Sequence, residues 1–156
     1  MKLHNNKYVL FFYIIILGLL YSCKNLSVEY YYDDRTEKSK NEKIAEEEYF
    51  KDIPKEYQKT DKDVLLLFNG AAFKGKTVII NNKDSIKFKS ISESGCYGVT
   101  YKKIDKSVKK IRLSVDGKKD IVIPFIKAYD YIDIGDAKND KWGVGYSKIL
   151  PSYFCM

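Results

Sequence analysis

The stretch Ile111-Arg112-Leu113-Ser114-Val115-Asp116-Gly117-Lys118-Lys119-Asp120-Ile121-Val122-Ile123-Pro124-Phe125 decides the fold. Ile111, Leu113 and Val115 alternate with Arg112 and Ser114, the period-two pattern of a half-buried strand. Asp116-Gly117 supplies the positive φ that a tight hairpin needs, and Ile121-Val-Ile begins a second β-branched run. Pro124 has no N–H to give to a ladder, so this second strand is expected at a sheet edge or a bulge.

Working outward from this hairpin, the same grammar repeats. Val64–Phe68 is a continuous apolar run ended by Asn69-Gly70, and Thr77–Ile80 is β-branched and ended by Asn81-Asn82-Lys83-Asp84. Ile86 and Phe88 alternate with Lys87 and Lys89; Tyr97, Val99 and Tyr101 alternate with small residues; Tyr129–Ile134 and Trp142–Ile149 follow. About eight short strands between residues 64 and 156 predict an all-β domain, an antiparallel sandwich or small barrel. No helical stretch long enough to form a crossover separates these runs, which disfavours a parallel α/β fold.

The charge is unevenly divided. The chain of 156 residues carries +7, but residues 24–63 hold nine basic and twelve acidic side chains, whereas 64–156 hold 17 basic and nine acidic. This split predicts a charged tether over 23–63 in front of a basic domain over 64–156. Within the tether, Glu37–Lys51 is rich in Glu, Lys and Ala and stops before Pro54, which predicts a short helix. Its apolar positions Ile44, Tyr49 and Phe50 form a poor stripe, so a solvated spacer is expected, with a loosely docked helix as the alternative.

At the N-terminus, Lys2 and Lys7 precede the apolar run Tyr8–Leu20, which is shorter than the roughly 20 residues a stable membrane span needs. Leu20-Tyr21-Ser22-Cys23 follows, and this segment resembles the signal peptide and lipobox of bacterial lipoprotein precursors. The resemblance covers residues 1–23 alone. It implies removal of residues 1–22 and fatty acylation of Cys23, which would then begin the mature chain, with membrane lipid as partner through the acylated Cys23. It also implies a cell-envelope location. Lys24, standing where an Asp would favour inner-membrane retention, points toward the outer membrane, facing the periplasm or the cell surface. Acyl chains contribute on the order of 0.8 kcal/mol per buried CH₂, so two or three would anchor the protein without spanning the bilayer.

The chemistry available to the domain is limited. The single histidine, His4, lies in the signal segment, so the mature chain has no His for a Ser-His-Asp or Cys-His nucleophile or for a His-containing zinc site. No enzyme activity and no cofactor are expected. Cys96 and Cys155 are read as buried thiols or as a disulfide, which an exported protein permits. Asp130, Asp133, Asp136 and Asp140 lack the spacing of a calcium loop and read as turn and strand-surface residues, leaving a histidine-free hydrolase as the most remote reading.

Two binding surfaces are expected as candidates. Lys109, Lys110, Arg112, Lys118 and Lys119 around the central hairpin would make an anion patch for an anionic envelope polymer or an acidic protein, unless they only keep the strands soluble. Trp142 and Tyr146, with Tyr129 and Tyr131, would make an aromatic platform for sugar stacking, unless the 142/144/146 alternation turns them into core. Nucleic acid is not an expected partner, because no base-stacking motif of the RNA-binding kind is present. The overall expectation is a non-enzymatic binding or structural component of the envelope, with a carbohydrate-binding module or an inhibitor lipoprotein as alternatives.

Overall fold

Nine strands and one helix follow from these patterns in a computed structural model that describes residues 27–55 and 58–152. In chain order they are β1 (Val28–Asp33), α1 (Lys40–Asp52), β2 (Asp63–Asn69), β3 (Thr77–Ile80), β4 (Asp84–Lys87), β5 (Val99–Asp105), β6 (Lys110–Val115), β7 (Ile121–Pro124), β8 (Tyr131–Asp136) and β9 (Trp142–Ser147). One sheet has the order β1-β9-β8-β2-β5 and the other β4-β3-β6-β7. They form an open sandwich, as the strand spacing predicts.

The central hairpin forms as read. β6 and β7 pair antiparallel with Ile111 opposite Ile123, and Gly117 takes a φ of 81° in the turn. β7 is an edge strand, where Pro124 leaves no ladder donor missing. Asn81 and Asn82 both take positive φ in the three-residue β3–β4 connection, which the Lys83 N–H closes by donating to the Ile80 carbonyl at 3.0 Å. Two pairings are parallel, β1 with β9 and β2 with β8, so the sandwich is mixed and not purely antiparallel.

The core lies between the sheets and includes Val64, Leu66, Phe68, Val78, Ile80, Ile111, Leu113, Ile123, Ile132, Trp142, Val144 and Tyr146. β2 is apolar without interruption because both of its faces are covered. Leu66 faces the core, while Leu65 and Leu67 face outward and are capped by α1 through Tyr49, together with Tyr131 and Leu150. The helix is closed at its start by a capping box: the Ser39 hydroxyl accepts from the Glu42 N–H, and the Glu42 carboxylate accepts from the Ser39 N–H at 2.7 Å.

The tether expected over 23–63 is corrected here: from β1 onward the segment belongs to the folded domain. Residues 28–33 pair with β9 over six positions, Tyr30 and Val28 pack against the core, and α1 docks on the outer face of β2 and β8. Among the described residues the folded domain therefore extends back to Ser27 and does not start at Val64. Charge density misled the reading because in β1 the charged residues Glu29 and Asp33 share the outward face with Tyr31, leaving Val28, Tyr30 and Tyr32 on the other. Two charged faces can belong to well-packed elements.

The strand directions also fix two ends. At one end lie Ser27 and the start of β1, the 70–76, 88–98, 116–120 and 137–141 connections, and the start of β5. Contacts between the sheets put the same ends together: the Trp142 indole N–H donates to the Lys119 carbonyl at 2.8 Å, and the Phe73 and Trp142 rings lie 5.6 Å apart. Helix α1 and the 81–83, 106–109 and 125–130 connections leave from the opposite end.

Candidate functional site

The site builds from a close approach at the end of β2. The Gly70 N–H donates to the Gly98 carbonyl at 2.9 Å, and a Cβ at Gly70 would stand 2.3 Å from the Tyr97 carbonyl oxygen. Only glycine lets the 88–98 loop fold against β2 here. The other side of the loop is held by Phe88, which is buried among Phe68 and Phe73 and whose N–H donates to Lys76. Gly75 closes the same junction by donating to the Lys89 carbonyl at 3.0 Å.

Within the loop, the hydroxyls shape the backbone. The Ser92 hydroxyl donates to the Cys96 carbonyl at 2.5 Å, and the Cys96 N–H donates to the Ser94 hydroxyl at 3.3 Å. Cys96 is disulfide-bonded, to a sulfur outside the described residues. The loop thus walls a cleft of about 700 Å³ whose lining includes Lys87, Lys89, Ile91, Ser92, Tyr97 and Thr100. That volume is in the range of small-ligand sites.

The electrostatics of the cleft are one-sided. Lys74 and Lys76 sit on the 70–76 connection, Lys87 at the end of β4 and Lys89 on the 88–98 loop, and Glu93 is the single carboxylate on these segments. Among the described residues none of the four lysines enters an ion pair, and Lys74 Nζ stands 5.3 Å from the centroid of the Tyr97 ring. Ile91, on the same loop, is 77% exposed, more than any other large apolar side chain described. Lysines, hydroxyls and apolar surface together suit phosphate or carboxylate groups carried on an apolar body. Sequence reading missed this cluster because Lys74/Lys76 and Lys87/Lys89 belong to separate runs that the β3–β4 hairpin brings side by side. The Lys87/Lys89 alternation was the available signal.

The predicted anion patch does not assemble. Arg112 is bound to Asp120 at 2.9 Å, and Lys118 is bound to Asp136 with its side chain laid over the Trp142 ring at 5.3 Å. Lys109 and Lys110 are exposed at the opposite end of the molecule from the Lys118-Lys119 turn. A hairpin six residues long separates what sequence proximity joined.

The aromatic platform is likewise corrected. Trp142 and Tyr146 are fully buried between the sheets, the Tyr146 hydroxyl donating to the Pro124 carbonyl at 2.7 Å. Tyr129 is buried and donates to Asp34, while Tyr131 lies on the outer face of the other sheet side beneath α1. Burial pushes the hydroxyls of Tyr131 and Tyr146 well above the ordinary tyrosine range. No common exposed face is left for a sugar to stack on.

Two carboxylates of 130–140 are tied to lysines: Asp130 to Lys106 at 2.5 Å and to Lys59 at 3.6 Å, and Asp136 to Lys118. Asp140 sits in a turn at φ 58°. Among the described residues no group of three His, Cys, Asp or Glu side chains is placed to hold a metal, and no helix is long and apolar enough to cross a membrane. Cys23 and Cys155 lie outside the described residues. Compared with family models, with curated proteins and with solved structures, the chain gives no significant match.

Proposed function

We propose that this chain is a membrane-anchored lipoprotein of the cell envelope with a non-enzymatic binding role. The observation that carries the reading is Leu20-Tyr21-Ser22-Cys23 placed directly after a short apolar run with a basic start, the arrangement that resembles a lipobox. Acylated Cys23 holds the mature chain on the membrane, in the outer membrane facing the periplasm or cell surface. The β-sandwich presents the cleft lined by Lys87 and Lys89, with Lys74 and Lys76 on the adjoining segment, to an anionic envelope partner. With Cys23 acylated, Cys155 is the one sulfur left to pair with Cys96, which ties the cleft loop to the end of the chain.

The test is fractionation of cells expressing the full chain. The unaltered protein is expected in the membrane fraction and to incorporate labelled fatty acid, and Cys23→Ser is expected in the soluble fraction without label. Unchanged membrane retention of Cys23→Ser would reject the anchor. Non-reducing peptide mapping of the mature protein is expected to recover Cys96 joined to Cys155.

A further inference from the structure

The anchoring reading leaves the orientation of the domain open, and the position of Ser27 supplies it. The Ser27 carbonyl accepts from the Trp142 N–H at 2.9 Å, so the chain is fixed to the sandwich from that residue on. Four residue steps separate Ser27 from Cys23. At no more than about 3.6 Å per residue they reach roughly 14 Å, whatever conformation they take. A domain held on so short a lead cannot turn its opposite end to the bilayer. The end with the 70–76, 88–98, 116–120 and 137–141 connections lies nearest the anchor.

Two independent features mark the same end. Ile91 stands on the 88–98 loop with most of its apolar surface in solvent. Lys87 and Lys89 line the same cleft as Ile91, Lys74 stands against the Tyr97 ring that lines it, and Lys76 is joined to Phe88 through its carbonyl; none of the four enters an ion pair among the described residues. Elsewhere on that end Lys118 is spent on Asp136, Lys141 on Glu29 and Asp120 on Arg112, while Lys119 and Lys138 share the 116–120 and 137–141 connections with Asp116 and Asp140. Lys74, Lys76, Lys87 and Lys89, with Glu93 as the one carboxylate on the same segments, leave a net positive charge around the cleft, whose wall includes Thr100 of β5, and β5 stands four strand spacings from β1, or about 19 Å across the sheet. An acyl anchor near β1 and a basic, apolar-tipped loop near β5 give two contacts on one plane.

We infer that this end of the sandwich docks on the anionic surface of the bilayer that carries the anchor, with Ile91 entering the headgroup layer and Lys74, Lys76, Lys87 and Lys89 meeting lipid phosphates. The inference rests on the anchored reading and names the anionic partner of the cleft as membrane lipid. Lysines near an anionic surface each strengthen binding by roughly five-fold, and the effect falls with ionic strength. The face opposite, with α1 and the 106–109 and 125–130 connections, is left to look away from the membrane.

The test uses the acylated mature protein in phosphatidylcholine vesicles with and without phosphatidylglycerol, and lipids bearing a nitroxide quencher. Ile91→Trp is compared with Val122→Trp, a half-exposed position on the outer face of β7; the native Trp142 is buried and serves as a constant background. With phosphatidylglycerol present, Ile91→Trp is expected to shift to shorter wavelength and lose about half of its added emission, because interfacial groups sit within the quencher's reach. Val122→Trp is expected to stay unquenched, and adding Lys87→Glu and Lys89→Glu to Ile91→Trp is expected to abolish the quenching. Hydrogen exchange of the unsubstituted acylated protein provides a second reading, with slowed exchange expected in 88–98 and not in 106–109. Equal quenching at both positions, or none at Ile91→Trp in protein that remains vesicle-bound, would overturn the docking while leaving the anchor intact. Membrane retention of Cys23→Ser would instead remove the anchor on which the orientation depends.

Discussion

Gly70 is the residue on which the cleft wall depends. Its Cα hydrogen faces the Tyr97 carbonyl, and Gly70→Ala puts a methyl group where only 2.3 Å is free. The loop must then move off β2, breaking the hydrogen bond from Gly70 to Gly98. Overpacking of this kind destabilises by about 1–3 kcal/mol, read as a lower denaturant midpoint with an unchanged slope. A midpoint equal to that of the unaltered protein would mean the loop does not rest on β2. From sequence, Asn69-Gly70 was legible as a turn, but the neighbour 27 residues onward that forbids a side chain was not. Cys96 tells the same story, since its spacing allowed a disulfide or a buried thiol and tertiary placement decided in favour of the disulfide.

Helix α1 shows how an element can be predicted while its role is missed. Its composition and Pro54 marked a helix close to Lys40–Asp52, yet its weak apolar stripe pointed to a solvated spacer. One deeply buried ring does the docking: Tyr49 packs on Leu65, Leu67 and Tyr131 and accepts a hydrogen bond from the Lys59 N–H at 3.0 Å. Tyr49→Ala is expected to destabilise the domain by about 3–5 kcal/mol, as aromatic truncations in cores do. Ser39→Ala, which removes half of the capping box, is expected to cost about 1 kcal/mol and to raise hydrogen exchange in the first turn of α1 alone. If Tyr49→Ala left the thermal midpoint where it was, α1 would be the spacer that its charge suggests. For β1 the inward residues Val28 and Tyr30, with the exposed Tyr32 stacked on Tyr146 on the same side, were present in the sequence as alternation, but three consecutive tyrosines concealed its period.

Across the whole molecule, ionisation bounds stability from both sides. Hydrogen bonds from Arg35 to Asp33, from Lys148 to Asp34, from Ser39 to Glu42 and from Arg112 to Asp120 hold these carboxyls below their ordinary range. A depressed folded-state pKa gives stabilisation that is present above the unfolded value near about 4 and is lost as pH falls below it. The tyrosines run the other way: burial raises Tyr49, Tyr101, Tyr131 and Tyr146, so their contribution is intact below about 10 and is lost as pH rises beyond it. Thermal midpoints are therefore expected to be flat through neutral pH, to fall in acid below about 4 and to fall in alkali above about 10. In the alkaline arm, tyrosinate absorbance should rise together with loss of the β signal, and early ionisation of all tyrosines in a folded protein would contradict the burial described.

The sequence by itself determined the class of fold and most of the strands from β2 onward, because alternation and turn chemistry are local and the β6–β7 hairpin expresses both within 15 residues. The proposed lipobox at Cys23 likewise rests on sequence alone, a pattern of charge, apolar length and cysteine position that needs no folding to be read. Only the tertiary structure decided which charges remain free. Arg112 found Asp120 across its own hairpin and Lys118 found Asp136 at the end of a strand in the other sheet, whereas Lys74, Lys76, Lys87 and Lys89 were gathered from the 70–76 connection and the β4 end with its following loop without ion-pair partners among the described residues. Only the structure, too, sent Trp142 and Tyr146 inward and joined β1 to β9 across more than 100 residues, since pairing and burial depend on neighbours that are distant in the chain.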